Sequence, residues 1–421
     1  MRQFNLLESK PAKAGFGIFL FAMLLLARDT LITSCLIGFN KSQFLMLGLI
    51  CLAGCSFLIV NRREWKAVLT DRRMIAFAVS ALALLVPMVM KRDWQMMYFS
   101  ILICLFFAVF LTYFVSLREV AKYYVVTLTL LGVYSVVTTY LLKGLAANGT
   151  LNVPMFYNSN NWEFYNFGLS YVVTWEFWNR NFGIFREPGV YQYFILLAVF
   201  LNNYAVDWKH PLKIWVSNVL LAITMLTTFS IGGFAELGLF VLFVYFDKKW
   251  YRETWGKIAG AAAVAAVAVF TGYVFYRWRQ PGFETTIFYE FYDMAIRLFT
   301  DSDSSTDRMD AIVVNAEYFL QNPLFGDRIS AVLHGTNHNT SSTLILYAIT
   351  GVFGGTLNVA AWVALVWKKE RHLIGNLVLL LVLFLSFNTQ NLVADVFFWL
   401  FPMMALVERG LPMIKFPVRK V

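Results

Sequence analysis

A chain of 421 residues with 59% hydrophobic and only 14% charged side chains is too apolar to fold as a soluble domain. Its formal net charge of +10 raises nucleic acid as a partner, but the basic residues fall in short stretches between apolar segments, where they set membrane orientation. The composition therefore predicts an all-α, polytopic integral membrane protein with one transmembrane domain over 1–421.

A spanning helix needs about 20 apolar residues, and roughly twelve segments qualify: 14–39, 43–60, 74–90, 95–116, 123–142, 189–206, 213–230, 233–246, 258–276, 342–367, 373–388 and 392–408. Lys10 and Lys13 give the first a likeness to a signal peptide. Leu25-Leu26-Ala27 is a poor cleavage site, however, and Arg28-Asp29 follows, so it reads as an uncleaved span whose two charges can pair with each other. Cys35, Cys51, Cys55 and Cys104 all lie in apolar segments, so neither a disulfide framework nor a metal site follows.

Basic residues separate the two sides of the membrane. Arg62, Arg63, Lys66, Arg72 and Arg73, then Arg118 and Lys122, Lys209 and Lys213, Lys248 to Lys257, and Lys368 to Arg371 mark alternate loops. Both termini join that set, which the positive-inside rule puts in the cytoplasm. The opposite side has short, nearly uncharged loops and two long ones, 143–188 and 277–341, which are expected to face outward.

The first long loop is rich in amides and aromatics, among them Trp162, Tyr165 and Trp178. Such residues pack on sugar faces, and they also anchor proteins at membrane interfaces. The loop ends in Arg180-Asn-Phe-Gly-Ile-Phe-Arg186-Glu187-Pro188-Gly189. Proline suits the first helical position, so Gly189, Val190 and Tyr191 would open a helix with unpartnered N–H groups beside two guanidiniums. That arrangement suits a doubly charged anion such as pyrophosphate. Equally, Arg180 and Arg186 can be interfacial anchors, with Glu187 capping the helix.

The second long loop is expected to hold an amphipathic helix, since Met309, Ile312, Val313, Ala316, Phe319 and Leu320 recur every three or four residues. Ser304 to Asp307 can cap its start and Asn322-Pro323-Leu-Phe-Gly326 can end it. Arg308 in the first turn opposes the helix dipole, which an anionic partner or a bridge to Asp301, Asp303 or Asp307 would relieve. Asp301-Ser-Asp303 resembles the metal signature of nucleotide-sugar transferases but reads better as a capping turn. Further on, His334 and His338 precede the tenth span, with Asn339 next in line; His338 is the better candidate for a base or an anion-binding cation, against a solvated helix cap. Neither a Gly-x-Ser-x-Gly elbow nor a P-loop occurs.

Four pieces in order resemble the O-antigen polymerase and ligase superfamily of bacterial inner-membrane glycosyltransferases. They are Arg180 to Gly189, the turn Thr228-Phe-Ser230-Ile-Gly232-Gly233, Arg308 leading to Asn322-Pro323-Leu-Phe-Gly326, and His338-Asn339 followed by Leu344 and Gly351-x-x-Gly354. The resemblance implies an inverting, metal-independent polymerase with no cofactor. It would join undecaprenyl-pyrophosphate-linked oligosaccharide repeats, as donor and acceptor, into O-antigen or capsular polysaccharide at the periplasmic face. The bilayer and a chain-length regulator protein are further partners it allows. On that reading Arg186, Arg180, Arg308 and Gly189 bind pyrophosphate, His338 or Glu187 is the base, and Trp162, Tyr165, Trp178 and Asn339 touch sugar. Two alternatives stay open: a ligase of the same superfamily, and a lipid-linked-oligosaccharide flippase, which should show charges near the membrane midplane and broken helices in related halves.

Overall fold

The computed structural model describes residues 10–27, 29–37, 71–158, 161–175, 179–278, 303–335 and 339–409, with isolated positions 45, 48, 280, 282, 289 and 292. The predicted span 43–60 and most of 277–302 lie outside the described residues, as do Arg28, Trp178, Asp301 and His338.

Among the described residues the chain is mostly helical. It runs α1 (Lys10–Leu25), α2 (Arg72–Lys91), α3 (Met96–Leu111) and α4 (Leu117–Ala147), the last with a π-helical stretch at Thr138–Leu142. Next come α5 (Pro188–Tyr204), α6 (Pro211–Thr227), α7 (Ile231–Asp247) and α8 (Thr254–Trp278). The remainder is α9 (Asp303–Gln321), the short α10 (Ile329–His334), α11 (Ser342–Val366), α12 (Leu373–Asn388) and α13 (Val396–Arg409). Of these, α2, α4, α8 and α11 are long and apolar enough to cross a membrane, while α3, α6, α12 and most of α1 are shorter apolar helices. This architecture is that of a helical membrane protein.

Local chemistry sets the helix starts. Ser116 and Glu119 form a capping box on α4, the Glu119 N–H donating to Ser116 Oγ at 3.4 Å and the Ser116 N–H to Glu119 Oε2 at 3.2 Å. Pro188 and Pro211 open α5 and α6, where a missing N–H costs nothing. Every side chain of α5 from Val190 to Asn202 is buried, against α4, α6, α7 and α12. A helix covered on all faces is the centre of its bundle. By contrast, α8 is almost entirely exposed.

The long stretch after α4 departs from the purely helical expectation. Helix α4 continues through Lys143 to Ala147, and a three-stranded antiparallel sheet follows: β1 (Met155–Tyr157), β2 (Glu163–Asn166) and β3 (Tyr171–Val173). Phe164 of β2 lies opposite both Phe156 and Val173. Asn161 takes a left-handed φ of 58° near the first turn; at the second, Gly168 has a φ of 81° and donates its N–H to Asn166 Oδ1 at 2.9 Å. Strands this short leave no long apolar run, so a reading built on spans passes over them.

Two helices are broken where loops dock into them. The chain leaves α1 at Leu25, turns, and resumes as a π-helical segment, Ile32–Ile37. At the turn Thr30 bridges Phe185, the Leu31 N–H donates to Ile184 O at 2.8 Å and the Arg186 N–H to Asp29 O at 3.0 Å. In α11 the break is Gly351, with φ 62° and ψ −153°. There the Asp327 N–H donates to Ala348 O at 2.6 Å and the Val352 N–H to Pro323 O at 2.8 Å. Irregular backbone among spanning helices is tolerated when protein groups satisfy it, as they do here.

Candidate functional site

The segment Arg180 to Gly189 is clamped from three sides. Asn181 donates its backbone N–H to Thr227 O at 2.9 Å and its amide to Ser135 Oγ at 2.9 Å and Thr227 Oγ1 at 3.0 Å. Arg180 Nε donates to Thr228 O at 3.2 Å, at the end of α6. The sheet supports the other flank: the Tyr171 N–H donates to Gly183 O at 2.8 Å, and Phe164 meets Phe182 edge-on at 5.4 Å. Gly183, at φ 55°, has no room for a side chain, because a Cβ there would lie 2.6 Å from the Tyr191 ring.

Arg186 projects from this rigid segment. Asp29 lies 3.1 Å from its Nε, an ion pair without the alignment of a hydrogen bond. The exposures are unequal: the Asp29 side chain is 4% exposed and that of Arg186 36%. A buried carboxylate thus holds one side of a guanidinium whose other side reaches solvent. Asp29 also keeps Arg186 more firmly protonated than an ordinary arginine, its attraction outweighing burial. The expected pairing of Asp29 with Arg28 lies outside the described residues; the structure shows Asp29 beside Arg186, far away in sequence, a contact that the break in α1 makes available.

Glu187 is the N-cap of α5 by backbone geometry, half-buried, and its side chain makes no capping hydrogen bond. Gly189 packs against Gln390, whose Nε2 would sit 2.6 Å from a Cβ at that position. The chain after the second long loop enters alongside. Thr343 N–H donates to Asn388 Oδ1 at 2.9 Å and Leu392 N–H to Ser342 Oγ at 2.8 Å, so the start of α11 and the end of α12 adjoin the start of α5.

Helix α9 begins at Asp303, ahead of the expected cap, so Arg308 is its sixth residue, in the second turn and not the first, and it is half-buried. Its charge lies within electrostatic reach of Glu236, on α7. Asn339 is engaged elsewhere: its amide exchanges hydrogen bonds with Asn315 at 2.7 and 3.0 Å and donates to Val332 O at 3.0 Å, tying the loop to α9 and α10. His334 is exposed at the end of α10. On the sheet, Trp162 is half-buried against Trp175, ring centres 5.8 Å apart, and Tyr165 is half-buried on β2. Exposed Tyr157 and Trp175 leave that flank aromatic. Among the described residues no three His, Cys, Asp or Glu side chains converge as a metal site requires.

Among the buried polar residues that escaped the sequence reading are Gln192, Glu236 and Ser386, on α5, α7 and α12. Each lies inside an apolar run with nothing nearby in sequence to distinguish it. A lone carboxylate in a span was the one available signal. No family model and no curated protein matches the chain.

Proposed function

We propose that the protein is a membrane glycosyltransferase that polymerises undecaprenyl-pyrophosphate-linked oligosaccharide repeats into O-antigen or capsular polysaccharide. The reading takes roughly twelve spans in the bacterial inner membrane, both termini cytoplasmic and the site periplasmic. One observation carries it: Arg186 stands at the N-terminus of the central helix, held from below by Asp29 and partly exposed above. A preorganised guanidinium beside the start of α5 suits a pyrophosphate, although of the N–H groups expected to be free there Val190 and Tyr191 donate to Glu187 O at 3.1 and 3.2 Å.

Pyrophosphate is a competent leaving group and needs no general acid, only cations for the charge it gains. Arg186, Arg308 and Arg180 supply them. The acceptor hydroxyl needs orientation and a base, for which the sequence offers His338 and Glu187. Aromatic residues of the sheet, Trp162 and Tyr165 among them, would border the sugar chain.

The test is complementation of a null strain. A polymerase null makes single-repeat product, a ligase null leaves polymer on its carrier, and a flippase null makes neither. Arg186→Ala is expected to abolish the ladder of chain lengths at normal protein level; a full ladder sinks the assignment. Transport keeps one supporting observation, the two broken helices, α1 and α11. Purified protein that joins lipid-linked repeats in detergent, with no ion gradient, excludes it.

A further inference from the structure

Near the start of α5, buried oxygen atoms without hydrogen-bond partners among the described residues gather where α5, α7 and α12 meet. They are both carboxylate oxygens of Glu236, Oε1 of Gln192 and Oγ of Ser386. Glu236 is 2% exposed, Gln192 1% and Ser386 fully buried. They face one another. A Cβ on Gly232 would lie 3.0 Å from Gln192 Nε2 and 3.6 Å from Glu236 Oε1, and the Ser386 hydroxyl adjoins the carboxylate without an aligned hydrogen bond. Gln192 Nε2 donates to Thr389 Oγ1 at 3.4 Å, while its Oε1 has no hydrogen-bond partner among the described residues.

Depth is consistent across the three helices. Gln192 is four residues inside α5, Glu236 five inside α7 and Ser386 two from the end of α12, so at 1.5 Å per residue all lie about 3–8 Å below the helix ends. The glycine pair after Ser230 makes room, since a Cβ on Gly233 would meet Gln192 Oε1 at 2.7 Å.

A buried carboxylate without a partner is strongly unfavourable, and a purely structural network would be satisfied within itself. Three of these atoms, both Glu236 carboxylate oxygens and Gln192 Oε1, are acceptors with no aligned donor among the described residues, so the junction fits a ligand that brings O–H groups. The positive charge of Arg308 nearby disfavours a metal cation. We propose that Gln192, Glu236 and Ser386 form a hydroxyl-binding subsite for sugar near the start of α5, and that Glu236, in place of His338 or Glu187, takes the acceptor's proton. This rests on the polymerase reading above. The acceptor oxygen bonds to the anomeric carbon, and the bond from that carbon to the pyrophosphate oxygen breaks with its electron pair leaving on pyrophosphate. The hydroxyl proton moves to the Glu236 carboxylate.

The experiment introduces Glu236→Gln, Glu236→Asp and Arg186→Ala into the null strain, with protein level measured by immunoblot. Glu236→Gln keeps the shape and removes the base, so polymer is expected to fall roughly 10²- to 10⁴-fold, with single-repeat product accumulating, whereas Glu236→Asp keeps a measurable ladder. A wild-type ladder from Glu236→Gln, with none from Arg186→Ala, overturns the subsite and leaves the polymerase reading standing. If the null strain itself shows no polymerase phenotype, that reading fails first. Should Glu236→Gln not accumulate, the pH profile of purified Glu236→Asp on lipid-linked repeat from the null strain decides. A displaced acid limb supports the proposal, and one coincident with wild type overturns it.

Discussion

The two helix breaks are built from the same parts and end in opposite states. At each, a loop docks its backbone into the gap and a cation sits beside it. Lys91 fills the surroundings of the α11 break completely, donating to Tyr98 Oη at 2.8 Å, Asp327 O at 2.7 Å and Ile349 O, while Tyr98 Oη donates to Ile349 O at 2.8 Å. Its three donors are all used, which leaves none for a ligand. Arg186, by contrast, meets one buried carboxylate among the described residues and stays partly exposed. A cation consumed by carbonyls closes a structure, whereas one held by a carboxylate and left partly open is prepared for an anion.

The sharpest way to break that comparison is Gly351→Ala. It puts a side chain at φ 62° and within 2.2 Å of Leu324 O, a contact with backbone that cannot swing away. Strain and collision together should cost about 3–5 kcal/mol, and the variant is expected not to accumulate in membranes. Normal accumulation would show that the α11 break is not rigid. Lys91→Met comes next. It strips a donor from three acceptors at once, and a loss of about 1–3 kcal/mol is expected as a lowered melting temperature in detergent, with activity per folded molecule unchanged. A selective activity loss at unchanged melting would give Lys91 a role it lacks here.

Asp29→Asn should perturb folding least and the site most selectively. The shape stays, but the buried charge facing Arg186 goes, so polymer should fall roughly tenfold to a hundredfold at normal protein level. Equal loss of protein and product would make the pair merely structural, like that at Lys91.

Much of the helical frame was legible in the sequence. The start of α5 at Pro188 and the amphipathic helix around Met309 to Leu320, within α9, follow from proline placement and periodicity, which are local properties. The sheet was not, because three- and four-residue strands make no periodic signal. Nor was the use of Asn322 to Gly326: the motif reads as a helix stop, and its larger task, docking across the α11 break, depends on a helix that begins 16 residues later than Gly326. Asn339 shows the same limit. Its amide reads as a sugar ligand, while in the fold it is engaged with Asn315.

By itself the sequence determined that this chain enters a membrane, where its charges gather, and which loop carries two arginines ahead of a proline-started helix. Those are matters of composition and spacing along the chain. Only the tertiary structure decided which partner each charge has. Asp29 meets Arg186, and Glu236 lies beside Gln192 and Ser386 of two other helices without an aligned hydrogen bond to either. The reason is physical: a buried charge or amide takes its character from what the packing brings beside it, and residues in separate spans carry no local trace of that company.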